Sequence, residues 1–193
     1  MKKIFFYLLA GMAISYVGCD DDAPEAEDSV EVITKVELIF NPASGGSPIV
    51  VQALDDDGVG PNDIEPSGDI NLVAGETYEL FVSFENTING EDITEEVEEE
   101  GVEHQIFFGF TEGIFSSPEG AGNILSTTGQ VNYKDEDDNG LPIGLITSWV
   151  VGETSGFGSF RVVLKHQPDI KSATSSFSDG ESDVDVSWTI NVQ

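Results

Sequence analysis

Asp183-Val184-Asp185-Val186-Ser187-Trp188-Thr189-Ile190-Asn191-Val192 runs almost to the end of the sequence on an unbroken two-residue alternation. Val184, Val186, Trp188, Ile190 and Val192 fall on one side; Asp183, Asp185, Ser187, Thr189 and Asn191 fall on the other. Successive side chains of a strand point to opposite faces, so the pattern describes a strand with one dry and one wet side. Antiparallel sheets are built from such strands.

The same period recurs upstream. Val30, Val32, Thr34, Val36, Leu38 and Phe40 alternate with Glu31, Lys35 and Glu37, while Ile33 and Ile39 interrupt the polar side. Tyr78, Leu80, Val82 and Phe84 form a second face, and Phe160, Val162 and Leu164 a third. Shorter candidate strands are 49–53, 69–73, 105–110, 130–133 and 145–151. Gly, Pro, Asn and Asp punctuate the intervals, as in 42–48, 58–68 and 117–122. The expected fold is all-β, an antiparallel immunoglobulin-like sandwich of about eight strands. It should occupy residues 30–193 as a single domain. One helix is expected, over Asp92–Glu100. Asp92 and Glu95 form an acidic capping box, but Glu95/Glu99 and Glu96/Glu100 repel four residues apart, so it should be short.

Charge narrows the partners. The 193 residues carry 37 Asp and Glu against 7 Lys and Arg, a formal charge of -30. Lys2 and Lys3 lie in the first 18 residues, so five basic residues face all 37 acids in the remainder. Such a surface repels phosphate backbones, and nucleic acid is not an expected partner. One cysteine leaves no intrachain disulfide and no cysteine-clustered metal site.

The amino terminus gives an address. Met1-Lys2-Lys3 is cationic, and Ile4–Val17 is apolar but short for a membrane span, as in a cleavable export signal. It ends Ser15-Tyr16-Val17-Gly18-Cys19, which resembles a lipobox, with Tyr16 where that motif usually has Leu. The resemblance implies a signal peptide over 1–18 and lipidation of Cys19. Residues 19–29, with Asp20-Asp21-Asp22 and Glu25-Ala26-Glu27-Asp28, read as a self-repelling acidic tether. A cysteine followed at once by acids resembles the surface-export signal of Bacteroidota lipoproteins. That implies an outer-membrane location, anchored by lipid and facing the periplasm or the cell surface, and company with an outer-membrane uptake transporter. Asp28-Ser29-Val30 also resembles the short O-glycosylation sequon of that phylum.

Three groups of residues could carry chemistry. Asp135-Glu136-Asp137-Asp138-Asn139-Gly140 places Asp135, Asp137 and Asn139 at alternate positions before a glycine, the first half of a calcium loop. Ile146 stands where a bidentate Glu would complete an EF-hand, so the expectation is a weak calcium-stabilised β-loop or else a solvated acidic turn. Asp55-Asp56-Asp57-Gly58 is a poorer version of the same pattern. His104 and His166, the only histidines, each end an apolar face, and on neighbouring antiparallel strands they would meet at one rim. With Glu103 and Glu100 beside His104 they could bind zinc or copper; otherwise they are half-buried histidines satisfied by neighbouring oxygens. Trp149 and Trp188 are the candidate platform for a glycan. Enzymatic activity is not expected: there is no nucleophile elbow, no phosphate cradle, and Arg161 is the one arginine.

Overall fold

The computed structural model describes residues 31–58, 63–126 and 129–193. The strands are β1 (Lys35–Pro42), β2 (Ile49–Leu54), β3 (Glu65–Ser67), β4 (Ile70–Leu72), β5 (Thr77–Asn86) and β6 (Glu91–Asp92), followed by helix α1 (Ile93–Glu99). Then come β7 (His104–Phe110), β8 (Phe115–Ser117), β9 (Ile146–Val151), β10 (Gly156–His166) and β11 (Glu181–Val192). One sheet has the order β3-β2-β1-β5-β9-β8, with β6 also paired to β5; the other is β4-β11-β10-β7. All named pairings are antiparallel except β4 with β11. The fold is an all-β sandwich.

Alternation decides which side chains meet between the sheets. Val36, Leu38 and Phe40 of β1 and Tyr78, Leu80, Val82 and Phe84 of β5 are buried from one sheet. Ile106, Phe108 and Phe110 of β7, Phe160, Val162 and Leu164 of β10, and every second residue of β11 from Val184 are buried from the other. These residues belong to one hydrophobic cluster. Trp149 and Trp188 lie inside it, 0% and 1% exposed, so neither offers a platform to a glycan. A smaller cluster of Phe107, Ile124 and Val163, with Phe177 packed on it, covers part of the outer face of β7 and β10.

Among the described residues, eleven strands stand where about eight were expected. The additions β3, β6 and β8 have three, two and three residues, too few to show a period. The expected strand over 130–133 is reduced to a single bridge from Tyr133 to Thr147. The helix matches its expectation: the Asp92 carboxylate accepts the Thr94 amide at 3.0 Å, and only Ile93 and Val97 are buried. Thr94 ties α1 to β5, its hydroxyl accepting the Phe84 amide at 2.9 Å and donating to the Phe84 carbonyl at 3.1 Å.

The outward edge of β7 is closed by chain that is not a strand. The Ile106 amide donates to the Ile143 carbonyl, and the Ile106 carbonyl accepts the Tyr133 hydroxyl at 2.7 Å. Burial pushes that hydroxyl's pKa up to about 12, so it stays a donor. Asn123 acts as a two-sided partner of Phe108, its side-chain oxygen accepting the Phe108 amide at 2.9 Å while its backbone N–H donates to the Phe108 carbonyl. The approach is close enough that a Cβ on Gly122 would lie 2.1 Å from the Phe108 oxygen, at a φ of 79° that also favours glycine. Asn123→Ala should strand the buried Phe108 amide and cost about 1–3 kcal/mol. Urea unfolding would show it as a lower midpoint, and an unchanged midpoint would mean that the edge does not depend on this side chain.

Candidate functional site

The two histidines meet at one rim of the sandwich. His104 opens β7, His166 closes β10, and the antiparallel register sets them directly opposite. Their rings stack with centroids 4.8 Å apart and planes 12° from parallel. The parity of the two strands was therefore legible as a meeting of imidazoles.

The carboxylates around them are arranged differently from the expectation. His166 Nε2 lies 3.4 Å from Glu103 Oε2, and this pair is partly exposed. His104 is fully buried. Its Nδ1 faces the Glu100 carbonyl at 3.2 Å, and its Nε2 lies 3.3 Å from Glu31 Oε1 and 4.0 Å from Asp183 Oδ2. Among the described residues, the groupings of histidine and carboxylate atoms within 4.8 Å of one another are Glu31, His104 and Asp183, and Glu31, Glu96 and Glu100. His104, His166 and Glu103 share the rim but do not converge on one point.

Asp183 reaches the rim through a bulge. Alternation with Val184 places it on the wet side of β11. The pairing with β10 slips, however: Leu164 faces Val184 while Lys165 faces Ser182, so Asp183 has no opposite residue. An extra residue of this kind bends the strand and re-aims its side chain. The Asp183 side chain is 4% exposed. Burial and the nearby Glu31 charge push its pKa up to about 6, against the pull of His104, His166 and Lys165. Burial lowers the His104 pKa, but Glu31 and Asp183 outweigh it and hold the imidazole above its ordinary value. Glu96 is raised by burial and by the charges of Glu31 and Glu100. The rim thus concentrates negative charge beside one buried imidazole.

The calcium candidates serve the backbone. Asp135 accepts the amides of Gly144, Leu145 and Ile146 at 3.0, 2.7 and 3.2 Å. Asp137 Oδ1 accepts the amides of Asn139 and Leu141, while its Oδ2 sits 2.8 Å from the Lys171 ammonium. Asn139 is exposed. Among the described residues, Asp135 and Asp137 join neither cluster of potential ligand atoms. Asp55 makes the same kind of turn, its Oδ1 accepting the amides of Asp57 and Gly58 at 3.0 Å. A groove of about 530 Å³ separates α1 from the 135–138 loop, with Glu98, Asp135, Asp137, Val102 and Ile143 among its walls.

Arg161 is already paired, both its Nε and Nη2 bonding Asp185, and it lies over the Phe177 ring. No helix among the described residues is long and apolar enough to cross a membrane. Cys19 and the leader lie outside the described residues. Comparison with protein-family models, curated proteins and solved structures gives no match.

Three carboxylates of the rim, Asp183, Glu31 and Glu96, were missed from the sequence. Asp183 was hidden by the bulge, and Glu31 lies far from the histidines in sequence. The local run of alternating residues carries no signal for either.

Proposed function

We propose that this chain is a lipid-anchored, non-catalytic binding or accessory protein of an outer membrane or cell surface, working beside an outer-membrane transporter. The observation that carries the reading is Ser15-Tyr16-Val17-Gly18-Cys19 followed directly by acids. Its likeness to a Bacteroidota lipoprotein signal supports a thioether-linked anchor, and the acidic run supports a tether that holds the domain off the membrane. An immunoglobulin-like body belongs to the same reading. Cys19→Ala should leave the protein unprocessed or move it from the membrane fraction into the soluble one, because the acyl chains supply the attachment. Labelled palmitate that still enters the variant would overturn the proposal.

A second reading is a metal-binding lipoprotein that uses the histidine rim. The stacked pair of His104 and His166, ringed by carboxylates, favours it. Zinc and copper suit imidazole, so either ion is the natural ligand of such a rim.

A further inference from the structure

His104 Nε2, Glu31 Oε2 and Asp183 Oδ2 are buried atoms without a hydrogen-bond partner. Nδ1 of His104 points at the Glu100 carbonyl, which fixes the ring proton there in the neutral tautomer. The lone pair of Nε2 is then aimed at two carboxylates. Three such groups facing one another repel unless a proton on Nε2 or a metal ion lies between them. Among the described residues, no Lys or Arg forms an ion pair with Glu31 or Asp183.

We propose that Glu31, His104 and Asp183 bind a divalent transition metal of the zinc class, with one coordination position left open. This inference rests on the metal-binding reading above and replaces its ligand set. The spacing fits: ligands held about 2.0–2.1 Å from a tetrahedral ion lie ~3.3 Å apart. His104 Nε2 is 3.3 and 4.0 Å from the two carboxylates, a small inward movement from that geometry. The charge fits as well, since two carboxylates and a neutral imidazole are balanced by an ion of charge two. An imidazole among the ligands selects zinc over calcium or magnesium. The backbone carbonyl that holds Nδ1 is the usual outer partner of a metal-bound histidine. His166 is a positioning residue in this arrangement. It stacks on His104 while its own Nε2 faces Glu103.

The full chain, stripped with a chelator, should be titrated with zinc chloride in a calorimeter, with excess magnesium to occupy weak surface acids. One tight site is expected. Asp183→Asn, Glu31→Gln and His104→Ala should each weaken it by about 100-fold or more, whereas His166→Ala and Glu103→Gln should cost no more than about tenfold. Because His104→Ala removes a buried side chain, a second measurement does not depend on it: X-ray absorption of the zinc-loaded parent should show one imidazole among otherwise oxygen ligands. Two imidazoles, or a loss with His166→Ala as large as with Asp183→Asn, would overturn this ligand set while the metal-binding reading survives. Zinc uptake no stronger than the magnesium-competed surface background would overturn both.

Discussion

Trp149→Ala is expected to cost about 4–5 kcal/mol of folding stability, at the upper end for an aromatic truncation. The ring lies on β9, fully buried in the core between the two sheets. Phe108 and Phe110 of β7 and Phe160 of β10 reach it from the opposite sheet at centroid distances of 5.5, 5.4 and 5.1 Å, and Phe115 of β8 lies at 4.7 Å. These contacts are mostly edge-on or tilted, the favourable aromatic geometries. The indole nitrogen donates to the buried Thr147 hydroxyl at 2.7 Å, so alanine would open a cavity and leave that hydroxyl without its donor. Trp149→Phe keeps most of the volume and should cost only about 1–2 kcal/mol. Since domains are stable by roughly 5–15 kcal/mol in total, the alanine variant should be close to unfolding. Urea unfolding at 25 °C measures both, and a loss below ~1.5 kcal/mol for alanine would show that the sheets pack well without the ring.

Asp137→Asn should remove about 3 kcal/mol, equally in chelator and in millimolar calcium. The Asp137 and Lys171 side chains are each 1% exposed, and Lys171 also donates to the Gly101 carbonyl at 2.6 Å. Together they fasten the 135–141 loop to the segment after β10 and to the turn beyond α1. Removing one charge leaves the other buried alone, which is why breaking such a pair costs more than the pair contributes. Replacing both, with Lys171→Met added, should recover part of the loss, the coupling expected of residues in contact. A fall in melting temperature of roughly 6–12 °C would accompany the single change. Acid should narrow the gap. Burial raises the Asp137 pKa, but Lys171 and the Leu141 and Asn139 amides outweigh it and hold it below 3.8. Its folded-state stabilisation is therefore present above that pH and fades as pH falls through the lowered value. Asp135, whose pKa burial raises, acts in the opposite sense. Should the parent gain melting temperature specifically from calcium, and Asp137→Asn lose only that gain, the loop would be a cation site instead of a fastener.

The long strands were legible because their periods are long. β5, β10 and β11 have ten or more residues, enough for the two-residue alternation to stand above chance. The run 145–151 was harder to read. Ile146 and Val150 sit opposite Thr147, Trp149 and Val151 with no charge to mark a wet side, so Trp149 could be taken for a surface ring. Where the histidines lie was readable from parity, since pairing of β7 with β10 brings equal faces together. Of the carboxylates that join them, Glu103 was readable, and Glu31 and Asp183 were not. Asp183 enters by a slip in register and Glu31 by a contact between segments distant in sequence, and neither leaves a local trace. The acidic turn leaves its two readings open for a related reason. Oxygen ligands at alternate positions suit calcium, but they suit backbone amides and a lysine equally well, and the sequence does not say which arrives.

The closed edge of β7 bears on how copies of the protein tolerate one another. An open strand edge invites a second chain to add itself and begin a fibre. Here the outer strands β3, β4 and β8 have three residues each, with Pro66 inside β3. The seven-residue β7 turns to its neighbours hydrogen bonds already taken by Asn123, Tyr133 and Ile143. If the chain is anchored as proposed, molecules held at a membrane by one end would collide far more often than the same number in free solution, and polymerisation would be their first hazard. With edges this short or this occupied, and a net charge of -30 keeping bodies apart, crowding should raise encounters without raising fibre formation.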